Sequence, residues 1–235
     1  KNLIISFLII STNFALDDFD RQIIETEHVK LKVETFASGF DIPWGMAFLP
    51  DSTMLVTDLS GYLYHIISKN TLRSIEGAPD VFFKGQGGLM DVEIDPNYKE
   101  NKIIYLSYSH QIGRKSFTAI AKAKLDHTKL TGFKIIYSAE KEFYTRKSVH
   151  FGSRIAINGK YIYFSIGDRG ERDDAQNLNT PNGKIHRVML DGRIPDDNPF
   201  TSSDGGKSTI WSYGNRNPQG LTFSKSGFLW ELEHG

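Results

Sequence analysis

Cysteine is absent from the 235-residue chain, which excludes disulfides, thiolate metal sites and a cysteine nucleophile. Net charge is also missing, because 28 Lys+Arg balance 28 Asp+Glu. A chain without a basic excess has no general attraction for a nucleic-acid backbone or an anionic membrane surface. The apolar run Leu3–Ile10 is too short to span a bilayer. No window sustains apolar residues at the three-to-four spacing of an amphipathic helix. Six of the seven histidines lack metal-ligand spacing, so the pattern gives no zinc site.

Aromatic residues make up 12% of the chain and charged residues 24%, enough apolar material to build a core rather than a disordered tail. The length suits one large β domain or two average ones. The opening KNLIISFLIISTNFA has a positive start, a short apolar stretch and a small-residue end. That is the shape of a secretory signal over residues 1–15, with Ala15 as the last residue removed. A buried N-terminal strand is the alternative, but the acidic LDDFDRQ that follows reads as a mature N-terminus. Export without cysteine suits a bacterial periplasm or the cell exterior.

Four stretches share one pattern, beginning WGMAF at Trp44, GLMDV at Gly88, FGSRI at Phe151 and QGLTF at Gln219. Each reads as a small residue, an alternating strand, a polar turn and a second alternating strand. In the third, Arg154–Ile157 and Tyr161–Ile166 flank Asn158-Gly159, a strong hairpin signal. Gly45, Gly88, Gly152 and Gly220 open the units at intervals of 43, 64 and 68 residues. A recurring hairpin unit on this scale predicts a β-propeller, whose blades are four-stranded sheets around a channel. The wider intervals predict insertions between strands, such as Gln176–Gly206. An antiparallel sandwich leaves the repeated opening residues unexplained. The last unit stops at Gly235 straight after a strand, so the expected layout is a lead-in and first strand over 16–38 and a truncated propeller over 39–235.

Three polar segments stand at strand ends: Gln86 in GQGGLMDVEIDP, Asp168 and Arg169 in GDRGERDDAQNL, and Asn215-Arg216-Asn217 before the fourth unit. Loops entering innermost strands share one mouth of a propeller channel, where such groups can converge on a polar ligand. His150 stands at the entry to the third unit. Plainer readings exist for each: His150 as a loop residue, Arg216 as a surface charge, Asn217-Pro218 as a turn starter, and Asp168 pairing with Arg169 across a turn.

From about Gly39 to Gly235 the chain resembles the soluble quinoprotein glucose dehydrogenases and the related aldose sugar dehydrogenases. The resemblance rests on IPWGMAFLPD, GQGGLMDVEIDP, HFGSRI, SIGDRGERDDAQNL, GKIHRVMLDGRIPDDNPF, YGNRNPQGL and LWELEHG, in that order. It implies an all-β, six-bladed propeller, of which this chain is an N-terminal fragment of about four blades. It also implies oxidation of an aldose at the anomeric carbon to the lactone, with pyrroloquinoline quinone and calcium as cofactors and an external electron acceptor whose identity stays open. His150 corresponds to the general base, Arg216 and Asn217 to residues against the quinone, Gln86 and Asp168 to positions near the sugar, and Gly235 to a backbone-carbonyl calcium ligand. Val149 stands where the glucose-specific branch has an aspartate, as in the broader aldose branch. The alternative function is a carbohydrate- or protein-binding propeller of the same ancestry without redox activity. Lacking the later blades, the chain as it stands is expected not to turn over sugar.

Overall fold

The computed structural model describes residues 22–200 and 208–234; the expected signal at 1–15 and Gly235 lie outside the described residues. A small hairpin comes first, β1 (Gln22–Glu25) with β2 (Lys30–Val33). Three four-stranded antiparallel sheets follow, each with its strands in chain order. The first contains β3 (Pro43–Phe48), β4 (Met54–Asp58), β5 (Leu63–Ser68) and β6 (Thr71–Ile75). The second contains β7 (Leu89–Ile94), β8 (Ile103–Ile112), β9 (Lys115–Asp126) and β10 (Lys129–Tyr137). The third contains β11 (Ile155–Asn158), β12 (Tyr161–Ile166), β13 (Lys184–Met189) and β14 (Ile210–Tyr213). A two-stranded sheet, β15 (Pro218–Phe223) with β16 (Leu229–Glu233), ends the described chain.

The four repeated units are therefore the first two strands of successive blades, three complete and one represented by its first hairpin. One expectation is corrected. Gln176–Gly206 is not simply an insertion, because it contains β13, the third strand of its blade. Its burial pattern, nearly continuous along KIHRVM, hides the alternation that marks a half-buried strand. β12 behaves likewise, with YIYFSI buried from Ile162 to Ile166. Both faces of these strands meet a neighbouring sheet, so both must be apolar or paired.

The core lies in the seams between blades. Leu55, Leu63 and Ile75 of the first blade pack with Leu89, Ile104 and Leu106 of the second. Tyr105, Phe117 and Ile120 of the second pack with Ile162, Phe164 and Val188 of the third. Tyr163 and Ile185 pack with Leu221 of the last hairpin. Each fully buried side chain of this size contributes roughly 1.5–3 kcal/mol.

The blades are also tied across the channel. Asp91 on β7 is 2% exposed and accepts from Arg154 Nη1 at 2.8 Å and from the Ile155 N–H at 2.8 Å. Arg154 also donates through Nε to the Gln219 carbonyl and stacks over the Trp44 ring at 4.4 Å. One ion pair thus links the four innermost strands or their entries. Burial raises the Asp91 carboxyl to about 6 although the Arg154 charge opposes that shift.

The segments that enter β7, β11 and β15 gather at one mouth, where Gln86 bonds to the His150 backbone and Asn217 to that of Gly152. β12 runs antiparallel to β11 and returns its end to the same place. Gly88 and Gly152 make room there: a Cβ on Gly88 would lie 2.0 Å from the Leu59 carbonyl oxygen, and one on Gly152 would lie 2.8 Å from the Gly167 nitrogen.

Candidate active site

His150 precedes β11 and Asp168 follows β12, and their side chains meet with Nδ1 to Oδ1 at 2.6 Å. A carboxylate only accepts, so Nδ1 carries the proton and Nε2 is left with its lone pair. Asp168 is held in turn: the same Oδ1 accepts the Gly170 N–H at 2.7 Å, and the Asp168 N–H donates to the Arg216 carbonyl at 2.7 Å. The Asp168 side chain is 4% exposed and that of His150 is 18% exposed, so the imidazole reaches solvent while its orienting partner does not.

The remaining expected residues divide between lining the cavity and bracing it. A cavity of about 920 Å³ is lined by His150, Asp168, Arg172, Gln176, Arg216 and Glu233, among others. Gln86 braces His150, since its Oε1 accepts the His150 backbone N–H at 2.7 Å. Asn217 is 2% exposed, and its Oδ1 accepts the Gly152 N–H at 3.0 Å. It ties the fourth blade's entry to the third. The structure thus brings His150, Asp168, Gln86, Arg216 and Asn217 into one constellation, with Gln86 and Asn217 outside the cavity lining. The plain alternative for Asp168 fails, because its ion-pair partner is His150 rather than Arg169.

Sequence reasoning missed Glu233. Its Oε2 accepts the N–H groups of Arg216 and Asn217 at 2.6 and 3.2 Å, which fixes the turn that aims Arg216. The signal was present, since Glu233 lies within the LWELEHG motif. Arg169, noted beside Asp168 at a strand end, is fully buried beneath the His150 segment, and burial pulls its guanidinium down to about 9. Lys184 was not singled out. It is fully buried with its Nζ on the carbonyls of Asp174, Ala175 and Asn182, and burial pulls it down to about 8. That ammonium fastens the loop whose Ala175 and Gln176 line the cavity.

The sequence model for "Glucose / Sorbosone dehydrogenase" matches residues 40–235. The chain belongs to the glucose/sorbosone dehydrogenase family. Aldose sugar dehydrogenase YliI of Escherichia coli is 39% identical over 213 residues, covering 87% of this chain and 57% of that protein. Quinoprotein glucose dehydrogenase B of Acinetobacter calcoaceticus is 27% identical over 250 residues, covering 92% of this chain and 52% of that protein. The family member described here therefore spans little more than half the length of these relatives. Among solved structures, the apo soluble aldose sugar dehydrogenase of E. coli superposes with a TM-score of 0.81 at 38% identity, over 86% of this chain and 60% of that one. The PQQ-bound aldose sugar dehydrogenase of Streptomyces coelicolor gives 0.74 at 27% identity, over 86% and 59%.

Gly235, the expected calcium ligand, lies outside the described residues, and among the described residues no three His, Asp or Glu side chains converge on a metal position. No helix among them is long and apolar enough to cross a membrane.

Proposed function

We propose that this protein, in its full-length form, oxidises aldose sugars at the anomeric carbon to the lactone with pyrroloquinoline quinone as cofactor. The observation that carries the reading is the His150–Asp168 pair at 2.6 Å, opening into a cavity that Arg216 also lines. The volume falls within the usual range for a small-molecule site. Arg216 and Arg172 supply cationic edges and Gln176 an amide to an anionic, planar cofactor; of the three lining carboxylates, Asp168 is engaged by His150 and Glu233 by the N–H groups of Arg216 and Asn217, while Asp173 lines the cavity as well. When bound, the quinone accepts the hydride that leaves the sugar carbon.

The chain's own residues have three tasks. His150 Nε2 takes the proton of the anomeric hydroxyl while the C–H pair departs, and the remaining oxygen closes the carbonyl of the lactone. Asp168 keeps Nδ1 protonated and favours the imidazolium that forms. Arg216 stabilises negative charge as it develops beyond the sugar, where a fixed guanidinium has no reorganisation to undergo. Asn217 and Gln86 hold the base and the arginine in register. Calcium is the second group implied by the family resemblance, with the Gly235 carbonyl as one ligand. Residues 1–15 fit an export signal, so the working place is the periplasm or the exterior.

The test is sugar-dependent dye reduction by the full-length gene product, titrated with the quinone in the presence of calcium or of a chelator. The expected result is saturable turnover that needs both additions. A quinone-loaded protein that reduces no dye with any of a panel of aldoses sinks the proposal.

A further inference from the structure

Arg169 is an unusual residue to find with no exposed surface. A guanidinium is expensive to bury, and a buried cation normally faces a carboxylate. Arg169 instead spends its fork on the main chain of one short segment. Nη2 donates to the Lys147 carbonyl at 2.7 Å and Nη1 donates to the Val149 carbonyl. The guanidinium carbon lies 3.5 Å from the centre of the Phe151 ring, a cation–π stack that partly offsets desolvation. Its Nε has no hydrogen-bond partner. The side chain therefore runs under residues 147–151 and touches carbonyls on the approach to His150.

His150 has φ of +51°, the left-handed region that a non-glycine residue keeps only where its surroundings hold it. The peptide unit leading into it joins the Val149 carbonyl to the His150 N–H. Arg169 grips the carbonyl end and Gln86 grips the N–H end at 2.7 Å. With that plane fixed at both ends, the backbone and side-chain torsions of His150 itself remain, and the Asp168 contact to Nδ1 restrains the ring. A reciprocal strap returns from the other side, where Lys147 Nζ donates to the Gly170 carbonyl at 2.8 Å. Arg169 itself has φ of +58°, which turns its side chain under the segment while Asp168 faces the imidazole.

We infer that Arg169 is a positioning residue for the base: with Gln86 it clamps the Val149–His150 peptide and so aims His150 Nε2 into the cavity. The inference rests on the proposed role of His150. A lysine cannot replace it, since one ammonium lacks the planar fork that spans two carbonyls two residues apart.

The experiment compares wild type, Arg169→Gln, Arg169→Lys and Gln86→Ala in the full-length protein, each alone and combined with His150→Ala. With His150 present, both Arg169 variants should lower kcat about ten- to a hundredfold, the usual consequence of misplacing a reacting group by an ångström, with quinone affinity within twofold of wild type. In the His150→Ala background the same substitutions should cost nothing further. Equal losses in both backgrounds overturn the inference, as does full turnover by either Arg169 variant. A readout independent of turnover is the ¹⁵N signal of the His150 ring. It should report one tautomer, protonated at Nδ1, in wild type and a mixture in Arg169→Lys and Gln86→Ala. A single unchanged tautomer in both overturns the clamp. Should Arg169→Gln fail to fold, the exposed Gln86 position still gives a soluble variant on which the ring signal decides. If wild type itself oxidises no sugar, the proposed function fails while the ring signals still judge the clamp.

Discussion

At the scale of single residues, the two ends of the cavity predict different kinetic signatures. On the proposed function His150→Ala removes a positioned base and should lower turnover by roughly two to four orders of magnitude, with quinone binding nearly unchanged, because the proposed task of the imidazole is on the sugar. Arg216→Ala should lower turnover and weaken the quinone together, since one charge acts on both. Dye reduction and quinone titration on each variant separate the two. Asp168→Asn is the finer test. An amide can donate to Nδ1, which moves the ring proton to Nε2, and the loss should approach that of His150→Ala although the side chain keeps its shape. Wild-type turnover by Asp168→Asn would remove the carboxylate from the mechanism.

At the scale of strands and their entries, two predictions concern stability. Gly88→Ala places a methyl group against the Leu59 carbonyl and should cost about 1–3 kcal/mol, the range for overfilling a packed site, read from a denaturant midpoint. His186 on β13 is fully buried, stacked at 13° on Phe164, and burial lowers its pKa to about 3. In the unfolded chain it titrates near 6.5. Between about 6.5 and 3 the unfolded state therefore binds the extra proton, so stability falls as pH drops through that window, by up to about 1.4 kcal/mol per pH unit. His186→Gln should flatten the acid side of the melting curve; an unchanged slope would assign the acid loss elsewhere. These elements were only partly legible. The hairpins were readable because Asn158-Gly159 and the opening glycines are local signals. β13 was not, because a strand covered on both faces shows no alternation.

At the scale of the whole molecule, the Asp91–Arg154 ion pair adds a charged tie between blades that also meet through apolar seams. Arg154→Met leaves Asp91 buried without its cation and should destabilise by about 3–5 kcal/mol at neutral pH. The loss should depend on pH in a definite sense. Asp91 already titrates near 6 in the folded state, against about 3.8 unfolded, and losing Arg154 raises the folded value further. The folded carboxyl then keeps a proton that the unfolded chain has released, so stability falls as pH rises through the widened window. The variant should lie nearer wild type at pH 5 than at pH 8, by chemical denaturation. A penalty equal at both values would mean that Arg154 acts through the Trp44 stack and the Gln219 carbonyl instead.

The sequence by itself determined the all-β class, the repeating hairpin and the ordered motifs that place the family, because each depends on residues close together along the chain. His150, Asp168, Arg216 and Asn217 were singled out on the same footing. Only the tertiary structure decided what they contact. Gln86 and Asn217 bond to the backbone of the third blade's entry, and Glu233 fixes the turn of Arg216. Arg169, which reads as a partner of Asp168 across a turn, is fully buried beneath the His150 segment. The reason is physical: the same charged side chain suits water or a cluster of buried carbonyls, and which one it meets is set by blade packing between segments far apart in sequence.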